Sequence, residues 1–113
     1  MQFKKPRGSP EKDGTTRLRK LMIEQGWYVK KTHGSMYSDN WPDLYALHPR
    51  HGQRWIEMKT ACGVLSTGQV DEFGKWSKFG MGVWCLRDEN DYQLLFQPPN
   101  WYVFSLPMRQ RPL

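Results

Sequence analysis

The stretch "WPDLYALHPRHGQRWIEMK", Trp41 to Lys59, limits what this chain can fold into more than any other. Two runs rich in apolar and aromatic residues, "DLYALH" and "QRWIEMKT", flank the turn residues Pro49 to Gly52, which is the pattern of a β-hairpin. Side chains alternate between faces along a strand, so Ile56 and Met58 point one way and Glu57 and Lys59 the other. Pairing through the turn brings the far ends of the two strands together and sets Asp43 beside Glu57 and Lys59. Buried carboxylates and lysines are costly unless paired or bound to a cation. Three such residues at one point suggest a site, whereas each alone reads as a turn aspartate or part of a solvated charge ladder.

The rest of the chain builds an α/β domain around that hairpin. "TTRLRKLMIEQG" (15–26) reads as a first helix capped by Thr15 or Thr16, with Leu18, Leu21, Met22 and Gln25 on one face and Gly26 at the end. "WYVKKTH" (27–33) is strand-like, and "GSMYSDNWP" (34–42) is a loop by composition. Residues 43–48 and 53–60 are the second and third strands. Residues 65–80 form a second helix opened by a Ser66/Gln69 capping box, with Val70, Phe73 and Ser77 inward and Gly80 and Gly82 at its end. "VWCLR" (83–87) is a fourth strand. "YQLLFQ" (92–97) and "WYVFSL" (101–106) read as two further strands around "PPN". Helix, three strands, helix, strand predicts a mixed central β-sheet flanked by helices.

The chain has 113 residues, of which 38% are hydrophobic, enough for the core of one domain. Residues 1–13 form a basic arm, 14–106 the domain, and 107–113 a short basic tail. The polar, basic start lacks the apolar segment of a secretory signal, and no apolar run is long enough to span a bilayer. Cys62 and Cys85 fit no zinc spacing and read as reduced thiols, so a cytoplasmic protein is expected. The formal charge of +6 favours a polyanionic partner.

The chemistry follows from the carboxylates. Asp43 and Glu57 are hard oxygen ligands that repel one another without a cation; with a backbone carbonyl and waters they suit octahedral Mg²⁺. A bound Mg²⁺ polarises a phosphate oxygen and activates a water. Lys59 beside it is placed to orient that water or stabilise charge on phosphorus. The reaction expected is phosphodiester hydrolysis.

Pro42-Asp43, a gap, then Glu57-Met58-Lys59 resembles the motif of the PD-(D/E)XK nuclease superfamily. The element order over residues 11–88, with "LSTGQ" downstream, is similar to compact VRR-NUC domains and to four-way-junction (Holliday junction) resolvases. That resemblance implies a restriction-endonuclease-like fold and a Mg²⁺-dependent endodeoxyribonuclease, with Mn²⁺ able to substitute. It implies Asp43 and Glu57 as metal ligands with the Met58 carbonyl, Lys59 as the catalytic lysine, and Gln69 touching the site. Glu11 is the further candidate ligand on the first helix, where many members carry a glutamate; Glu24 falls away from the Leu18/Met22 face.

A domain this small has no recognisable helix-turn-helix or zinc module, so selectivity for branched DNA is expected, by a homodimer from a bacterial or phage-infected cell. Candidate DNA contacts are Lys30 and Lys31, His33 and Ser35, and Trp41, which can stack on a base. Packing is the alternative for Trp41, and an ordinary loop role for His33. His48 and His51 read as exposed turn histidines. The rival functions are a homing, restriction-type or flap nuclease, a non-catalytic nucleic-acid-binding module of the same fold, and a basic protein-interaction domain.

Overall fold

The computed structural model describes residues 10–32 and 40–111. Helix α1 spans Pro10–Glu24, starting five residues before the expected Thr15. Proline suits a first helical turn, where its missing N–H has no helical acceptor to satisfy. Gly14 looks like a helix breaker in the sequence, yet it lies inside α1. A Cβ there would meet the Arg87 carbonyl oxygen at 2.6 Å. Glycine is present because the helix approaches the end of a strand closely. Leu18 and Met22 are fully buried, whereas Gln25, expected on the same face, is exposed. Gly26 ends the helix at φ +95°, a conformation that glycine adopts without strain.

Strands β1 (Tyr28–Lys31), β2 (Leu44–His48) and β3 (Gly52–Met58) form an antiparallel meander. Helix α2 (Thr67–Lys78) then crosses over to β4 (Val83–Leu86), which lies parallel to β3. The four-stranded sheet therefore has the order β1-β2-β3-β4 and is mixed, as the element order predicts. One face carries Leu44, Ala46, Ile56, Met58, Trp84 and Leu86, which pack with Leu18 and Met22 of α1. The other carries Trp55, Val83 and Cys85, packed with Phe73 of α2 and with Phe104. Alternation thus sends Glu57 to the α2 side.

The two strands expected beyond residue 91 do not form. The segments Glu89–Phe96, Trp101–Ser105 and Met108–Gln110 are 3₁₀ turns. Their apolar residues have a strand-like pattern but serve as lids: Leu95 packs on the α1 side and Phe104 on the α2 side. Pro98 and Pro99 have no N–H to give to a ladder. The edge of β4 is also occupied by side chains. The Asn100 amide accepts from Cys85 N at 2.6 Å and donates to Cys85 O at 3.0 Å, and Asp91 accepts from Arg87 N at 2.9 Å. These carboxamide and carboxylate groups take the place of a fifth strand. Among the described residues no helix is long and apolar enough to cross a membrane.

Candidate active site

Asp43, Glu57 and Lys59 converge where β2 begins and β3 ends. The register Leu44↔Ile56 makes Asp43 and Glu57 the next opposed positions. Pro42 is fully buried, and Thr32 N donates to the Asp43 carbonyl at 3.0 Å, which pins the start of β2. The Asp43 carboxylate reaches across and accepts from the backbone N–H of Met58 at 2.8 Å through Oδ2. Lys59 N donates to Leu86 O at 2.9 Å, so β4 holds the last residues of β3 from the other side.

Glu57 is only 3% exposed. Its Oε2 accepts from Gln69 Nε2 at 2.9 Å and lies 3.5 Å from Lys59 Nζ. Its Oε1 is buried with no protein partner. Burial, and after it the negative charge of Asp43, pushes the Glu57 carboxyl up to about 7 from an ordinary 4.5, while Gln69 and Lys59 pull the other way. A carboxylate buried with an unsatisfied oxygen beside a second carboxylate fits a hard divalent cation, whose charge removes the strain of ionising both. Among the described residues no three His, Cys, Asp or Glu side chains form a metal cluster; what these residues offer such a cation is the two carboxylates and nearby backbone oxygen.

Gln69 makes the capping contact and a contact with Glu57 at once. It caps the helix, with Oε1 accepting from Ser66 N at 3.1 Å, while Ser66 Oγ accepts from Gln69 N at 3.1 Å. Its Nε2 meanwhile holds Glu57. One side chain therefore ties the start of α2 to the buried carboxylate.

The other sequence-derived candidates divide. Lys30 and Lys31 are both exposed on β1, the sheet edge. Lys30 pairs with Tyr45, which pairs with Trp55, so Lys30 shares the Glu57 face and Lys31 takes the opposite one. Trp41 is 39% exposed and packs edge-on against Trp55 and Trp76 at 5.9 and 5.4 Å, so packing takes up much of the ring. Glu11 lies in the first turn of α1, with its side chain outside the described set; His33 and Ser35 also lie outside the described residues.

His48 and His51 sit at the β2–β3 turn, at the opposite end of the strands from the carboxylates. They pack against Trp27 at 4.9 and 5.8 Å, so the ring of half-buried His48 and that of exposed His51 join an aromatic cluster. His48 Nδ1 accepts from Arg50 N, which leaves Nε2 to donate to the Gln25 carbonyl. Two residues that bear on the site escaped the sequence reading. Cys85 is the register partner of Glu57 on β4, and Asn100 holds Cys85 at its backbone. A lone asparagine after two prolines gives no sequence signal of this.

No family model and no curated protein matches the chain. Among solved structures, a VRR_NUC domain superposes with a TM-score of 0.69 at 18% identity, over 80% of this chain and 98% of that one. The fold is that of a VRR_NUC domain. The Hjc Holliday junction resolvase of Archaeoglobus fulgidus superposes with a TM-score of 0.45 at 24% identity, over 66% of this chain and 68% of its own. The VRR_NUC-like fold accounts for the helix, meander, helix and strand that the sequence predicts, and for the mixed sheet.

Proposed function

We propose that this chain is a Mg²⁺-dependent endodeoxyribonuclease that hydrolyses phosphodiester bonds, with Mn²⁺ able to substitute and branched DNA as substrate. The observation that carries the reading is Glu57: a carboxylate 3% exposed, with one oxygen unpartnered, next to Asp43 and 3.5 Å from an ammonium group. A purely structural ion pair would satisfy both oxygens or remain in water.

Asp43, Glu57 and the Met58 carbonyl would hold the cation, which supplies positive charge to a phosphate oxygen and acidifies a water. The protein's own residues do the remainder. Asp43 is fixed by Met58 N–H, and Glu57 by Gln69, so neither needs to reorganise during the reaction. Lys59 orients the attacking water and donates to charge developing on the non-bridging oxygens. In the hydrolysis the water oxygen bonds to phosphorus, one ester P–O bond breaks, and the departing sugar oxygen ends as a hydroxyl. Glu11 is a further candidate for the cation shell.

Lys30, on the same face, is suited to a flanking phosphate, with Lys31, His33 and Ser35 as further candidates and the open edge of Trp41 for a base. Preference for branched DNA is part of the same proposal and is decided by the substrate panel below. We also propose a homodimer, which would bring two sites to paired strands. The exposure of Tyr102, Leu106 and Met108, at 58, 38 and 56%, offers apolar surface for it.

The test is a panel of end-labelled linear, nicked, flapped and four-way DNA with Mg²⁺ or Mn²⁺. Paired cuts on the four-way substrate support the junction reading. Equal cutting of plain duplex removes it, and no cutting of any substrate removes the nuclease reading.

A further inference from the structure

The loop from Lys59 to Ser66 joins β3 to α2 and therefore connects the site lysine to the residues that cap Gln69. It has little structure of its own. Its internal support is a Gly63 N to Thr60 O bond at 2.9 Å, and Ala61, Cys62 and Val64 are exposed. It is held from outside, by a segment distant in sequence.

Arg111 makes that contact. Its Nη1 donates to the Ala61 carbonyl at 2.9 Å, its Nη2 to the Gly63 carbonyl, and its Nε to the Leu106 carbonyl at 3.0 Å. The guanidinium carbon lies 4.3 Å from the centre of the Phe104 ring, and Phe104 O in turn accepts from Leu65 N at 2.9 Å. Segment 104–111 thus grips the loop at Ala61, Gly63 and Leu65. A planar fork is needed for two carbonyls at once, and a lysine ammonium on a flexible stem does not supply it.

Gly63 carries the contact on to the site. A Cβ on Gly63 would lie 3.2 Å from both Cβ and Cδ of Lys59, so the Gly63 backbone is the wall against which the Lys59 stem packs. At the end of that stem, Nζ lies 3.5 Å from Glu57 Oε2 with the side chain 18% exposed. The order of contacts is Arg111, Gly63, Lys59, Glu57.

We propose that Arg111 is a positioning residue: by clamping the Ala61 and Gly63 carbonyls it fixes the wall that sets Lys59 beside Glu57. The consequence for catalysis rests on the nuclease reading above; the positioning itself does not. Arg111→Lys separates the two. It keeps the positive charge, and with it any general attraction to DNA, but removes the fork.

The first readout needs neither DNA nor metal. Lysine acetylation of the free protein, followed by mass spectrometry, compares Lys59 with Lys78 on α2. In Arg111→Lys the Lys59 rate is expected to rise several-fold against Lys78, because the stem is released. In the cleavage assay turnover is expected to fall about tenfold or more with KM little changed, because small misplacement of a reacting group can reduce rates by about a hundredfold. Gly63→Ala, which presses a methyl on the Lys59 stem with Arg111 intact, is expected to give the same split.

Unchanged Lys59 labelling in Arg111→Lys overturns the proposal. So does a variant pair in which Arg111→Ala loses DNA affinity while Arg111→Lys restores both affinity and turnover, which would make Arg111 a phosphate contact. If the wild type cuts no DNA while Lys59 labelling still rises in Arg111→Lys, the positioning stands and the nuclease reading falls.

Discussion

Replacing Glu57 with glutamine is expected to stabilise the metal-free protein at alkaline pH. The Glu57 carboxyl is raised from 4.5 to about 7, chiefly by burial and then by the charge of Asp43. The folded state therefore keeps a proton that the unfolded state has given up. The associated stability is fully present below about pH 4.5, declines between about 4.5 and 7, and is absent above that. At about 1.4 kcal/mol for each tenfold, the gap corresponds to about 3 kcal/mol. Glutamine is neutral at every pH and can keep the contact with Gln69, so it does not undergo this decline. In chelator near pH 8, Glu57→Gln should exceed the wild type by up to about 3 kcal/mol, roughly 10 °C in Tm. Near pH 4, where both side chains are neutral, the two should melt close together. Thermal unfolding followed by circular dichroism across that range measures the difference. Added Mg²⁺ should then rescue the wild type at alkaline pH, by about 2.7 kcal/mol at a hundred times its dissociation constant, and leave the variant unmoved. If Glu57→Gln is less stable than the wild type by the same margin at both pH values, Glu57 ionises without penalty and the reasoning fails.

Lys59→Ala should abolish cleavage while DNA affinity, measured by fluorescence anisotropy, changes by less than about threefold, since the basic surface supplies most of the binding. Asn100→Ala strips both hydrogen bonds from the Cys85 backbone, at a residue 1% exposed, and should lower stability by about 2 kcal/mol in urea titrations. Gly14→Ala would push a methyl to 2.6 Å from the Arg87 carbonyl and should lower stability by about 1–3 kcal/mol in the same assay. DNA affinity should fall steeply as salt rises; a flat dependence would favour a protein partner over DNA.

What the sequence conveyed was local. The alternation in "WIEMK" and the turn at 49–52 placed Asp43, Glu57 and Lys59 together because register in a hairpin follows from pattern and turn. The Ser66/Gln69 spacing marks the start of α2 because a capping box is closed by hydrogen bonds between residues three apart. What it did not convey depended on distant chain. Asn100 completes the edge of β4 and Arg111 holds the β3–α2 loop, both across separations that no spacing rule covers; the contact of Gln69 with Glu57 also lies beyond such rules and follows only from the family resemblance. The two apolar runs after residue 91 have strand composition, but Asn100 and Asp91 occupy the free edge of β4 and the runs form 3₁₀ lids instead. The early start of α1 was obscured by Gly14, whose reason for being glycine is a carbonyl of another element.

The most direct test of the account is single-turnover cleavage of an end-labelled four-way junction by wild-type protein and Asp43→Asn, each with Mg²⁺ and with excess chelator. The account predicts cutting by the wild type with Mg²⁺ alone, and none by Asp43→Asn under either condition even though it still binds the junction. Equal cutting by the two proteins, or undiminished cutting in chelator, would contradict it.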